Sequence, residues 1–287
     1  MRIAHNVAAL NTFRHVTNSG ESNKKSMGKL ASGQRINAAG DDAAGLSISE
    51  KMRGQIRGLN MASKNVMDGI SLIQTAESAL SEQHDTLQRM RELTVQAAND
   101  TNVLADREAI SREVSRLMDH LDGILENTQY NTKNLFLGLD SEPIALQVGA
   151  NQGQATNLYI EKSLIPSFGY FVWEAPGVLI GGPGDDQIVD LSSNAQANVF
   201  LTAMDKAIED VSSIRTSLGA YQNRLEHTLD NLSSAAENLT ASESRIRDVD
   251  MAKEVMEMVR TQVLQQAGQA MFSQVVQQPK QILSLIS

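Results

Sequence analysis

The chain has no cysteine among its 287 residues. That excludes disulfide staples, thiolate metal sites and thiol nucleophiles together. Aromatic residues make up only 4% of it. Wide cores between layers use large rings, whereas narrow seams between helices take Leu, Ile, Val, Ala and the 12 methionines present here. Proline is scarce too, and four of the 5 prolines fall between Pro143 and Pro183, so the flanking regions have few helix breakers. Clustered Lys and Arg are missing and the formal net charge is -9, which argues against a nucleic-acid partner. No apolar run reaches membrane-spanning length, so no membrane partner is expected. The start, MRIAHNVAALNTFRHV, is broken by His5, Asn6 and Asn11 and reads as no cleaved signal peptide. Export, if it occurs, takes another route.

What is present is a strict period of seven. From Met52 the series continues through Leu59, Val66, Ile73, Leu80 and Leu87, with Ala62, Gly69, Ala76 and Met90 at the second seam position. The other end repeats it with Met204, Val211, Leu218, Leu225, Leu232, Leu239 and Ile246, backed by Ala207, Ile214, Tyr221, Ala235 and Val249. Sustained heptads of this kind pack helices into a left-handed supercoil. A third segment, with Asp106 as its expected N-cap, runs Ile110, Val114, Leu117, Leu121, Ile124 and should fold back after NDTNVLAD. The expected fold is mainly α: a long antiparallel coiled-coil rod formed by the N- and C-terminal regions, with a small β-containing outer module in the middle of the chain. Residues 1–40 and 250–287 are expected to be terminal helices, 41–140 and 191–249 the rod, and 141–190 the outer module. There Ile144, Leu146 and Val148 alternate, turn through Asn151 to Gly153, and resume with Leu158 and Ile160 as a hairpin. Phe168, Tyr170, Phe171 and Trp173 form either a small core or a contact patch.

Tempting chemistry is mostly bland. In NAAGDDAAGLSISEKMRGQ, residues 37–55, Asp41 and Asp42 are adjacent rather than alternating as a calcium loop requires, and the lysine of a phosphate loop is missing. A turn is expected, with Gly40 supplying an unusual backbone angle and Asp41 or Asp42 capping the next helix. GGPGDDQIV, residues 181–189, fits one calcium-binding nonapeptide, but stacked copies share each ion and no second copy exists. His5, His15, His84, His120 and His227 show no metal spacing, and no nucleophile elbow is found. We expect no catalytic, cofactor or metal residues and no enzyme.

Both ends are apolar. Ile3, Val7 and Leu10 share a helical face, while Val263, Ala267, Ala270, Met271 and Val275 form a stripe that ends in Ile282, Leu283, Leu285 and Ile286. Burial of an aliphatic side chain is worth about 1.5 to 3 kcal/mol, so thin apolar termini favour association with further copies. An end-on heterologous contact repeats into a filament.

Several stretches resemble bacterial flagellin: MRIAHNVAALNT, RINAAGDDAAGLSISEKMRGQIRGLNMASKNVMDGISLIQTAESAL, LQRMRELTVQAAN, LGAYQNRLEHTLDNLSSAAENLTASESRIRDVDMAKE and QAMFSQVVQQPKQILSLI. The resemblance spans about residues 1–140 and 195–287; Ala4, Gln34, Ala38, Val275 and Val276 depart from the usual pattern. It implies a secreted filament subunit for motility, exported unfolded by the flagellar type III route and polymerising as a helical homopolymer. Implied partners are itself, an export chaperone, and the filament cap and hook-junction proteins. Ile3, Val7, Leu10, Val263, Met271, Ile282, Leu283, Leu285 and Ile286 would serve polymerisation. LQRMREL also resembles the patch that engages Toll-like receptor 5, an innate immune receptor, through Gln88, Arg89, Glu92 and Leu93, with Glu113 opposite. Alternatives are a hook-filament junction protein or a non-polymerising secreted coiled-coil adaptor.

Overall fold

The computed structural model describes residues 6–136, 143–159, 179–180 and 188–286, of which 179, 180, 188 and 279–286 are described by their backbone alone. Ile160 of the expected hairpin, the aromatic cluster of Phe168, Tyr170, Phe171 and Trp173, and residues 181–187 of the nonapeptide lie outside the described residues.

In chain order the elements are α1 (Val7–Ser32), α2 (Ala43–Ala97), α3 (Leu104–Asn127), the strands β1 (Gln129–Tyr130), β2 (Lys133–Asn134), β3 (Ile144–Gln147), β4 (Ala155–Leu158), β5 (Leu179–Ile180) and β6 (Ile188–Val189), then α4 (Asn194–Arg247) and α5 (Met251–Ile286). The chain divides into two compact units, Arg57–Ala235 and the paired ends Met1–Ile56 with Ala236–Ser287.

Within Arg57–Ala235, α2, α3 and α4 enclose one apolar core. The heptad residues fill it: Val66, Ile73, Leu80 and Leu87 on α2, and Met204, Val211, Leu218 and Leu225 on α4, are all buried. The mainly helical expectation with a small β part therefore holds. Cross-helix polar contacts report the directions. Arg89 reaches Glu113 at 3.2 Å and His120 approaches Glu82 at 3.9 Å, so α3 runs antiparallel to α2. Arg91 meets Asp205 of α4 at 2.5 Å. Exposed pairs of this kind contribute at most about 1 kcal/mol, so they mark the register that the apolar seam sets.

Two details of α3 differ from expectation. Its N-cap is Val103, without a side-chain cap, and Asp106 lies in the first turn instead. There a carboxylate favours the helix dipole even though it caps nothing. The core also takes Met118 and Leu125 more deeply than Leu117 and Ile124, because a helix packed against two neighbours buries a stripe wider than one seam.

The hairpin of β3 and β4 forms as the alternation predicts, pairing Ile144 with Leu158 and Gln147 with Ala155 around a turn where Gly153 takes a φ of 82°. It docks on α2 over two glycines about three turns apart. A Cβ on Gly69 would lie 2.6 Å from Leu146 Cδ1, and one on Gly58 would lie 2.8 Å from the Ala150 Cβ. Between them Asn65 Nδ2 donates to the Gln147 carbonyl at 3.2 Å. On α3, Ser111 Oγ donates to the Val189 carbonyl and Ser115 Oγ accepts from the Val189 N–H. One turn of helix thus satisfies the edge of β6 as a strand would.

One seam position is polar. Gln83 is fully buried between Ala76 and Met90, and neither end of its amide has a hydrogen-bond partner among the described residues. Polar seam residues fix register at a cost in stability. Gln83→Met is therefore expected to raise the unfolding midpoint by about 2–4 °C for each kcal/mol recovered, measured by calorimetry. An unchanged or lower midpoint would mean the amide is satisfied.

Candidate functional site

The paired ends are built around two chain breaks. α1 starts at Asn6, whose Oδ1 accepts the Ala9 N–H at 3.0 Å, and stops at Gly33 in the left-handed region at φ 71°. The unusual angle expected at Gly40 thus falls at Gly33, where a helix end needs it. In the turn that follows, Asp41 Oδ2 accepts the N–H groups of Asn37 and Ala38, each at 3.1 Å. Asp42 Oδ1 accepts the Gly45 N–H at 2.9 Å and caps α2. The adjacent aspartates therefore divide the work: one holds the turn and the other starts the helix. Gly45 leaves room for Ile36, whose Cδ1 would lie 2.8 Å from any Cβ there.

The break between α4 and α5 is joined to that turn. Arg35 N–H donates to the Arg247 carbonyl at 2.6 Å, Val249 N–H donates to the Gly33 carbonyl at 3.1 Å, and Gln34 bridges Asp248. Arg35 also reaches the Ile246 carbonyl through its guanidinium at 2.5 Å. The nearly buried Arg247 donates to Glu50 Oε1 at 2.5 Å, which holds the Glu50 carboxyl below its ordinary range. Asp41 is likewise lowered, by the Ala38 and Asn37 amides. These contacts make one clasp.

Beyond the clasp α1 and α5 pack side by side, and their burial is inverted. The buried residues of α1 are Asn23 and Ser26, and the buried residue of α5 among those described is Thr261. Most of their large apolar side chains face outwards: Val7 is 64% exposed, Leu10 54%, Val263 57% and Met271 55%, while Val16, Leu30, Met258 and Phe272 are half-buried. Phe13, Met27, Val259 and Leu264 are exposed as well. Small residues permit this close approach, since a Cβ on Gly268 would lie 2.7 Å from Val16 Cγ2. Asn6 Nδ2 donates to the Val275 carbonyl at 3.1 Å, and the Phe13 and Phe272 rings sit 5.9 Å apart. Of the remaining expected polymerisation residues, Ile3 lies outside the described residues. Ile282, Leu283, Leu285 and Ile286 fall on the last turns of α5, where the backbone alone is described.

A second candidate surface lies on α2 and α3. Gln88, Arg89, Glu92 and Glu113 are exposed, and Arg89 bridges Glu92 at 3.1 Å and Glu113 at 3.2 Å. Those two carboxylates, Glu113 first, raise the guanidinium above its ordinary value. Leu93 does not share this face. It is 3% exposed and belongs to the core, because packing on both sides of α2 buries the position flanking the seam.

A helical bundle whose paired ends hide polar groups and display apolar ones is a protein suited to association. The family model described as "Bacterial flagellin N-terminal helical region" matches residues 3–141, and "Bacterial flagellin C-terminal helical region" matches residues 201–286. The chain is 48% identical over 305 residues to a flagellin of Bacillus subtilis (strain 168), with 100% of both chains covered. It is 43% identical over 295 residues to a flagellar filament 33 kDa core protein of Treponema phagedenis, again across 100% of both. A solved flagellar hook-associated protein from Vibrio parahaemolyticus shares the fold at a TM-score of 0.57 and 15% identity, covering 72% of this chain and 100% of that one. The chain belongs to the bacterial flagellin family. It is a structural subunit that polymerises into the flagellar filament.

The clasp was missed in the sequence, where Arg35, Glu50 and Arg247 look like ordinary surface charges. Its carboxylates give it a pH dependence. A carboxyl whose folded pKa is depressed contributes stability that is present above its unfolded value and lost as the pH falls through its folded one. Protection factors of the Asn37 and Ala38 amides, referred to the intrinsic exchange rate at each pH, are therefore expected to hold at neutral pH and to fall as the pH drops below the ordinary carboxylate range. Asp41→Asn should remove most of that dependence, and an unchanged profile would discount the contacts.

Proposed function

We propose that the exposed apolar faces of α1 and α5 are the polymer contact. The observation that carries this reading is the inversion itself, with Val7, Leu10, Val263 and Met271 outward and Asn23, Ser26 and Thr261 inward. Terminal residues 1–40 and 250–287 then line the inner tube of the filament. The heptad regions 41–140 and 191–249 form the surrounding shell, and 141–190 is the outer module. Ile3 and the closing Ile282, Leu283, Leu285 and Ile286 extend the same contact. The subunit leaves the cell unfolded through the flagellar type III route, held by an export chaperone and delivered to the cap and hook-junction proteins, and it acts outside the cell. A chain without cysteine suits that passage, since no disulfide has to be formed or broken.

Deleting residues 276–287 is expected to leave the helical circular dichroism of the heptad regions intact while abolishing growth from filament seeds. Normal polymers from the truncated chain, seen by sedimentation and electron microscopy, would overturn the assignment of the contact.

The exposed Arg89, with Gln88, Glu92 and Glu113 around it, is proposed to engage an innate immune receptor, Toll-like receptor 5. What supports this is a charged, outward cluster held in one geometry by two ion pairs. Arg89→Ala is expected to weaken receptor activation in a reporter-cell titration without shifting the thermal melt. Unchanged potency would count against it.

A further inference from the structure

Sulfur occurs in this chain only as thioether, since it carries 12 methionines and no cysteine. Their exposure divides them. Met90, Met118 and Met204 are buried in the core shared by α2, α3 and α4, whereas Met27, Met61, Met67, Met251, Met256 and Met271 are exposed. Of these six, Met27 lies on α1 and Met251, Met256 and Met271 lie on α5. Met256 is 68% exposed, more than any other large apolar side chain among the described residues.

A thioether held in water is open to oxidants, and with no thiol in the chain nothing else containing sulfur competes for them. Val7, Leu10 and Val263 on the same faces have no such chemistry. When a hydroperoxide meets an exposed methionine, the sulfur lone pair attacks one peroxide oxygen and the O–O bond breaks as the S–O bond forms. The proton of the transferred hydroxyl passes to the departing one, which leaves as water. Sulfur gives up two electrons and the peroxide takes them. The product is a sulfoxide, whose acceptor oxygen has to be stripped of water before an apolar face carrying it can be covered. We propose that Met27, Met251, Met256 and Met271 are sulfoxidation sites through which a hydroperoxide withdraws the unassembled subunit from filament growth, and from which a sulfoxide reductase returns it. The inference rests on the polymer contact proposed above, and the sites close once that contact is made.

The test treats the full chain with hydrogen peroxide, as monomer and separately as filament, and maps oxygen uptake by peptide mass spectrometry. In the monomer the four sites are expected to oxidise on the order of tenfold faster than Met90, Met118 and Met204, and in the filament to slow towards those core residues. Treated monomer is then offered to filament seeds, where the critical concentration for elongation is expected to rise about tenfold for each sulfoxide brought into the contact. Methionine sulfoxide reductases, one for each epimer, should restore the untreated value. A chain carrying Met27→Leu, Met251→Leu, Met256→Leu and Met271→Leu keeps the apolar volume and both Met61 and Met67, and it should elongate normally after the same dose. If the untreated parent fails to elongate, or its four sites oxidise equally in monomer and filament, the polymer contact fails and this inference with it. If the contact stands, the inference alone is overturned by treated monomer that elongates like untreated, by a loss that the reductases do not reverse, or by equal sensitivity in the four-leucine chain. The reductase arm uses only the parent chain, so it decides the question even where the four-leucine chain folds poorly.

Discussion

The period of seven on α2 is the constraint on which the remaining structure depends. Each heptad residue from Val66 to Leu87 is withdrawn from water against α3 and α4, and burial on this scale is what makes long helices stable where propensity alone would not. Once that seam is closed, the directions of α3 and α4 follow, and the ion pairs of Arg89 and Arg91 fall into place along it. The β hairpin is a consequence too. It can dock only where α2 presents no side chain, at Gly58 and Gly69.

The paired ends obey the opposite rule. Asn23, Ser26 and Thr261 are buried in α1 and α5 while most of the valines, leucines and methionines face out. Such an arrangement is unfavourable for an isolated chain and favourable in an assembly, because the outward surface is buried only when copies meet. The flagellin family assigns the chain to a filament, and the inversion explains physically why the ends would be unsuited to life as a free surface. The clasp of Arg35, Glu50 and Arg247 acts locally: it joins the two chain breaks, so that α1 and α5 start from a fixed pair of points.

Legibility in the sequence varied with how local the signal was. The heptads, the hairpin begun at Ile144 and a cap at Asp41 or Asp42 each depend on spacing within a few residues, and they could be read from it, though only the structure chose Asp42. Gly40 against Gly33 could not be separated that way, since both are glycines near a helix end and only the path of the chain decides which one takes the positive φ. Asp106 looked like a cap because it precedes an apolar run, yet the helix starts earlier at Leu104. Leu93 resembles a surface residue only if α2 has a single partner. With two partners its position is closed off.

By itself the sequence determined the class of fold, since a repeat of seven admits little other than packed helices, and it determined that the ends are apolar. Tertiary structure alone decided which way those ends face. Period and composition state how many apolar residues a helix carries, but not whether a neighbour approaches from that side. Here α1 approaches α5 on the side of Gly268 and Thr261, and Val263, Leu264 and Met271 are left exposed. Long-range pairings such as Arg247 with Glu50 lay equally beyond the sequence, because two charges nearly two hundred positions apart carry no local mark of each other.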